Sequence, residues 1–191
     1  DAGANLTTNG TLTANTVLLS AEHTLTTNGT VGTTGGNATL TGNNVVTTSA
    51  VTSTGAITVI GDEDVTLADI DANGGNAELT AGGVLTLNGT TDAAGDVIGL
   101  ANDRIWQRGA IGGDADTVSL TAREGVIDSD ADISATTDIT LHAGDDVSLA
   151  TTATAGQNIS ITAGGDVDAN VLTATNAAIG IDADGDIVVA G

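Results

Sequence analysis

Cysteine, proline, methionine, phenylalanine, tyrosine and lysine are all missing from these 191 residues, and Trp106 is the one aromatic side chain. Each absence excludes something. Without cysteine there is no disulfide scaffold, and such a chain suits passage across a membrane in the unfolded state. Without aromatics the core cannot rest on large buried rings, so the interior must be narrow enough for Val, Ile, Leu and Ala to fill. Positive charge is nearly missing too: three Arg face 25 Asp and Glu, a net charge of −22. A surface this acidic repels nucleic acid and anionic lipid, so neither nucleic-acid binding nor membrane insertion is expected. No apolar run approaches the ~18 residues of a membrane span, and no segment reads as a signal peptide. The chain opens on Asp1 rather than Met, which suggests a mature product or an excised piece.

What is present is a phrase written three times. Residues 138–147 read DITLHAGDDV, residues 158–167 NISITAGGDV and residues 178–187 AIGIDADGDI, with a step of 20 residues both times. A fixed step of this size marks a solenoid, whose repeats bury their apolar faces only by stacking. Low aromatic content and high charge would otherwise suggest disorder; the strict apolar period argues against it.

Traced back from these copies, one apolar column comprises Leu6, Leu25, Val45, Val65, Val84, Ile105, Val126, Val147, Val167 and Ile187. A second holds Leu19, Leu40, Val59, Leu79, Leu120, Leu141, Ile161 and Ile181, with Leu100 filling its gap. A third holds Leu12, Val31, Val51, Ile70, Ile111, Ile133 and Leu172. Three short strands per ~20 residues define an all-β fold, a single-stranded parallel β-helix of nine to ten coils. Thr39-Leu40-Thr41 and Ser160-Ile161-Thr162 flank an inward aliphatic with hydroxyls, the period of two of a strand with one wet face. Pairs such as Asn28-Gly29, Gly82-Gly83, Gly164-Gly165 and Asp184-Gly185 mark the corners, where positive φ is expected. No stretch has the three-and-four apolar spacing of an amphipathic helix. At ~4.8 Å per coil the rod should be about 45 Å long. Residues 92–113 look irregular, with a slipped second column and a bulge or small loop expected there.

Residues 1–191 therefore read as one continuous β-solenoid, uncapped at both ends. Ile187 opens a coil that stops after five residues. Either adjoining coils of a longer chain follow, or copies stack homotypically end to end. In the second case residues 187–191 would complete a coil begun by residues 1–4 of the next copy, a heterologous contact that propagates as a filament.

VSLTAREGVI (118–127), ITLHAGDDVSL (139–149) and ISITAGGDV (159–167) resemble the shaft repeats of filamentous-haemagglutinin-like exoproteins, adhesins exported by two-partner secretion in Gram-negative bacteria. The resemblance covers nearly the whole chain and implies a right-handed β-helix at the extracellular cell surface, serving adhesion, aggregation or biofilm matrix. The family's secretion domain, with NPNL- and NPNG-type motifs, cannot be present in a chain without proline.

Four kinds of candidate site stand out. Asp146, Asp166 and Asp186 recur at one turn position, and Asp182-Ala-Asp184-Gly-Asp186 echoes part of a calcium loop, so Asp146, Asp166, Asp184 and Asp186 are candidate Ca²⁺ ligands. The bland alternative is a solvated corner whose aspartates cap turns. No other cofactor is implied. Arg104, Trp106 and Arg108, with Arg123 one coil later, could meet an acidic sugar of a cell-surface glycan; the alternative is local neutralisation of Asp103, Asp114 and Asp116. Thr columns could order water as an ice-binding face, but Ile60, Glu78, His142, Gly180 and Asp182 interrupt them. Sequons at Asn5, Asn9, Asn28, Asn37, Asn88 and Asn158 are what chance gives in so Asn- and Thr-rich a chain. An enzyme is not expected: His23 and His142 lie about six coils apart and belong to no triad or zinc spacing. The expected role is mechanical, that of a stiff spacer.

Overall fold

In the computed structural model, which describes residues 3–190, the alternation of aliphatic and hydroxyl residues produces 26 short strands and no helix. Every strand pairing is parallel. The strands stack as three ladders, so the protein is a β-solenoid of about nine coils of ~20 residues. The first ladder is a nine-stranded sheet from Val17–Ser20 to Ile179–Ala183. The second begins at Leu6–Thr8 and ends at Ile187–Val189, and the third begins at Leu12–Ala14. These two merge into one 17-stranded sheet because Val147–Ala155 and Val167–Ala174 run through the corner between them.

The core is the line of inward side chains shared by all three ladders. Leu25, Leu40, Val45, Val59, Leu120, Ile139 and Val167 are all fully buried. At roughly 25 cal/mol per Å² of apolar surface, such aliphatics hold the rod together coil by coil. Within the third column, Thr91 and Ala153 supply the missing members, in register with Ile70 and with Ile133.

Three column assignments change. Leu85, not Val84, pairs with Val65 and Ile105, and Val84 sits outward in register with Arg104. Ile127, not Val126, pairs with Ile105 and Val147; Val126 falls in a turn carrying one extra residue. Gly99, not Leu100, fills the inward slot between Leu79 and Leu120. A Cβ on Gly99 would stand 2.8 Å from Leu120 Cδ2 and 3.4 Å from Leu85 Cδ2, so the large neighbours already occupy the space. Leu100 and Ile98 face outward instead, Ile98 being 37% exposed.

Most of the stretch 92–113 is regular: Thr91–Ala93, Val97–Ala101 and Arg104–Gln107 hold their register. The expected bulge lies at its end, where Gly112 and Gly113 take φ of +120° and +86°, values open to glycine and strained for side-chain-bearing residues. Two residues, Gly113 and Asp114, bulge outward before Ala115 returns to the core with no exposure.

Corner glycines serve a different purpose from the one expected. Among the described residues, only Gly112 and Gly113 have positive φ. Elsewhere the glycines permit close stacking: a Cβ on Gly29 would land on the carbonyl of Gly10, and one on Gly164 on the carbonyl of Gly144. The ladder accordingly continues around the corners, as in Asn28 N to Thr8 O at 2.8 Å and Asn88 N to Leu67 O at 2.8 Å.

At the far end the inward positions are open to solvent, Ile179 at 44%, Ile187 at 48% and Val189 at 44%. Asp1, Ala2 and Gly191, part of the coil expected to close between copies, lie outside the described residues.

Candidate functional site

Asp and Asn residues gather at the corners because their short side chains reach the next coil. Asp146 Oδ1 accepts the backbone N–H of Asp166 at 2.7 Å, and Asp166 Oδ1 that of Asp186 at 2.8 Å. The same bond links Asn37 to Ala56 N at 3.0 Å, Asn76 to Asp96 N at 3.0 Å and Asp138 to Asn158 N at 2.9 Å. Every such oxygen satisfies an amide that the turn leaves outside the strand ladders. Asp146, Asp166, Asp184 and Asp186 do line up along one corner, as the repeat requires. Among the described residues, however, no three His, Cys, Asp or Glu side chains converge on a point where a metal ion could sit. The carboxylates are strung along the axis, and those of Asp146 and Asp166 are hydrogen-bonded to backbone in a turn-capping arrangement. Five of the six sequon asparagines make corner bonds between coils: besides Asn37, Asn5 Oδ1 accepts Thr24 N–H at 3.1 Å, Asn28 Nδ2 donates to Asn9 Oδ1 at 2.9 Å, and Asn158 Nδ2 to Asp138 Oδ1 at 3.0 Å.

Arg104, Trp106 and Arg108 are brought together. The period of two places all three on the outer face of the second ladder, while Ile105 and Gln107 point inward and are fully buried. Trp106 lies on a flat strand rather than over an irregular corner, in register with Thr86 below and Asp128 above. The Arg108 guanidinium stacks on the indole with its Cζ 3.7 Å from the ring centroid; that of Arg104 stands 5.4 Å away. Arg104 also forms an ion pair with Asp128 at 2.6 Å, the only one among the described residues. At side-chain exposures of 43% and 31% such a pair contributes under about 1 kcal/mol. Arg123 is one coil on, where its Nη1 donates to Asn102 Oδ1 at 3.4 Å. Neutralisation of Asp103, Asp114 and Asp116 by these arginines does not occur within ion-pair distance; Asp128 is the partner.

Beneath this face lies a polar knot that the sequence did not disclose. Gln107 Nε2 donates to the carbonyls of Gly109 at 2.8 Å, Ala131 at 3.1 Å and Asp132 at 3.2 Å, and its Oε1 accepts the Ser129 hydroxyl. A fully buried amide with every group engaged locks the corner after Trp106.

Around that corner, on the third ladder, is a groove of about 290 Å³ lined by Thr90, Asp92, Gly112, Gly113, Asp132 and Ser134. It exists because Gly112 leaves a gap in the outward column between Asp92 and Ser134 and because the bulge forms its wall. Asp92 Oδ1 is held by the N–H groups of Ala93 at 2.9 Å and Asp114 at 3.2 Å, and Asp132 Oδ1 by that of Thr152 at 3.1 Å. The Gly-Gly pair inside a strand position was the available signal for it. A second hollow of about 210 Å³, flanked by Glu22, Asn43 and Asp62, lies over the first-ladder corner.

The proposed ice-binding columns on the first ladder are interrupted where expected: Thr58 and Ile60, Glu78 and Thr80, Thr140 and His142 alternate along its outer face. Exposed Leu18 at 66% and Ile60 at 41% break the hydroxyl pattern further.

Compared with models of known protein families, with curated proteins and with solved structures, the chain matches none.

Proposed function

We propose that this chain is a stretch of structural shaft from a large adhesin-like exoprotein, similar to the filamentous-haemagglutinin-like proteins and displayed on or secreted from a Gram-negative cell. The observation that carries the reading is the constant cross-section: three parallel ladders and their corners are hydrogen-bonded from coil to coil along the length. Such a body transmits position and load; its work is mechanical rather than catalytic. A dry aliphatic core stiffens it, and corner carboxylates keep it soluble and apart from its neighbours. A rod of this kind serves adhesion, aggregation or biofilm matrix by holding other modules away from the cell.

A second reading is a filament whose copies stack end to end, in which the solvent-open inward side chains of Ile187 and Val189 would be covered by the next copy. Added strands would cover these residues and pair the backbone of Ile187–Val189. Negative-stain microscopy of native material, with denaturing electrophoresis of the same sample, separates the two. The shaft reading expects thin rods made of one long polypeptide and labelled on intact cells by antibodies to this segment. Fibres that dissolve into units of this chain's own mass would overturn it in favour of the filament, and labelling confined to lysed cells would overturn the surface location.

A further inference from the structure

We propose that the outer face of the first ladder is a lateral interface between two copies of this chain. The rods lie side by side and point the same way, related by a two-fold axis along their length. The inference concerns the flank of the rod, so it stands whether the chain is shaft or filament.

Charge sets this face apart. Its nine strands, from Val17–Ser20 to Ile179–Ala183, each turn two side chains outward and step in register without a bulge. Of the chain's 25 acidic residues only Glu78 and Asp182 occupy these positions, and no arginine does. The remainder are Ser, Thr, Leu and Ile, with His142 and Gly180. The second ladder, by contrast, points Arg104, Asp128 and Asp168 outward. Exposed aliphatics also collect on the first face. Away from the last coil, Leu18 at 66%, Ile60 at 41% and Ile98 at 37% are the large apolar side chains exposed among the described residues. All three belong to it. An acidic rod therefore has one flat side on which a rod of the same sign can approach.

The pattern is also self-complementary. A two-fold axis along the rod sets each strand antiparallel to its own copy across the interface, so that its two outward side chains exchange places. Ile98 then meets the partner's Leu100 on the fifth and middle strand of the nine. Glu78 meets the partner's Thr80, and Asp182 the partner's Gly180, so no carboxylate opposes another. The same axis sets the edge that follows the strands, with Asp62, Asp103 and Asp145, against the less acidic edge that precedes them. An axis across the rod would instead set the acidic edges against each other. Nine strands at ~4.8 Å and five residues at ~3.3 Å give roughly 650 Å² per copy, or about 1,300 Å² for the pair, within the roughly 1,200–2,000 Å² of specific interfaces. An aliphatic centre ringed by hydroxyls is the usual anatomy of such a contact.

The net charge of −22 on each copy opposes approach until salt screens it. Small-angle scattering of the chain at 0.01 M and 1 M NaCl, where the Debye length falls from ~30 Å to ~3 Å, should show single rods becoming pairs. Their cross-sectional mass should double at unchanged length, with a dissociation constant of about 10 μM at 1 M salt. Ile98→Glu should weaken this pairing at least ~100-fold by sedimentation velocity, because each copy then brings a carboxylate to the aliphatic centre. Ser119→Glu, in register beside it, should weaken it about tenfold. Thr66→Glu, on the outer face of the second ladder, should pair like the unchanged chain, and all three variants should keep its circular dichroism. Rods that double in length at constant cross-section would overturn the proposal in favour of end-to-end stacking. Single rods at ~1 mM chain in 1 M salt would also overturn it, leaving the face to an unlike partner or to ordered water. So would pairing that is equal in Ser119→Glu, Ile98→Glu and Thr66→Glu.

Discussion

Residues 3–61 and residues 62–190 build the same coil with different corner chemistry. In the first stretch the side chains reaching up to the next coil are asparagines, as in Asn5 to Thr24 N at 3.1 Å, Asn37 to Ala56 N at 3.0 Å and Asn44 to Asp64 N at 3.3 Å. In the second they are mostly aspartates, as in Asp64 to Val84 N at 2.9 Å, Asp138 to Asn158 N at 2.9 Å and Asp146 to Asp166 N at 2.7 Å. The bond is the same, so the extra charge contributes nothing that the fold requires. Of the 25 acidic residues only Asp1 and Glu22 precede Asp62; the other 23, against three Arg, leave −20 on residues 62–190. Over roughly 30 Å of rod that is one charge per ~1.5 Å, close to the ~1.7 Å of duplex DNA with its condensed counterions. The early coils are nearly uncharged outside, and for their length they bury more polar side chains among the aliphatics, Thr27, Thr33, Thr47 and Ser53 against Thr91, Gln107 and Ser129 in the later coils.

The largest effect tests what the two regions share. Gly29→Ala and Gly164→Ala both place a methyl on a carbonyl of the coil below, and each should cost about 4 kcal/mol, at the upper end for single substitutions. Thermal melts in which one of the pair is neutral would show that the coils are not spaced alike in the two regions. Next comes charge. Replacing Asp64, Asp69, Asp132, Asp138, Asp146 and Asp166 together by Asn keeps every corner acceptor. It should stabilise by about 3 kcal/mol at 10 mM salt and by nearly nothing at 1 M, where the Debye length is ~3 Å. A gain that persists at high salt would mean that the carboxylates are worse acceptors than amides, not merely mutually repelling. The smallest effect concerns the early core. The Thr27 hydroxyl is fully buried with no partner, whereas that of Thr47 accepts the Ala68 N–H at 2.9 Å. Thr27→Val should therefore stabilise by about 1 kcal/mol and Thr47→Val destabilise by a similar amount in denaturant titrations.

The periodic parts of this fold could be read directly from the residues, because a fixed step and a fixed parity leave one solution. Reading failed where two adjacent apolar residues compete for one inward slot. At Val84-Leu85 and Val126-Ile127 the step alone cannot choose, and only strand parity and turn length decide. The same holds at Gly99, where the apolar step points to Leu100, whereas Leu85 and Leu120 reach in from adjacent coils to fill the space. The Arg104–Trp106–Arg108 face could be read, since alternate residues of a strand share a side. The groove around the corner was legible only in part: the Gly112-Gly113 pair marks the irregularity, but the hollow itself depends on the missing side chain at Gly112 and on how far the bulge stands out.

The hydrogen bonds joining the coils point along the rod axis, and this governs how the protein meets force. Tension applied through the two chain ends loads the outermost coil alone, so coils peel off singly rather than shearing as a block. Twenty residues drawn taut span about 70 Å, whereas folded they advance the rod by only ~4.8 Å. Each coil lost therefore releases roughly 65 Å of slack while the remaining coils keep their shape, which makes the rod an extensible tether under axial load.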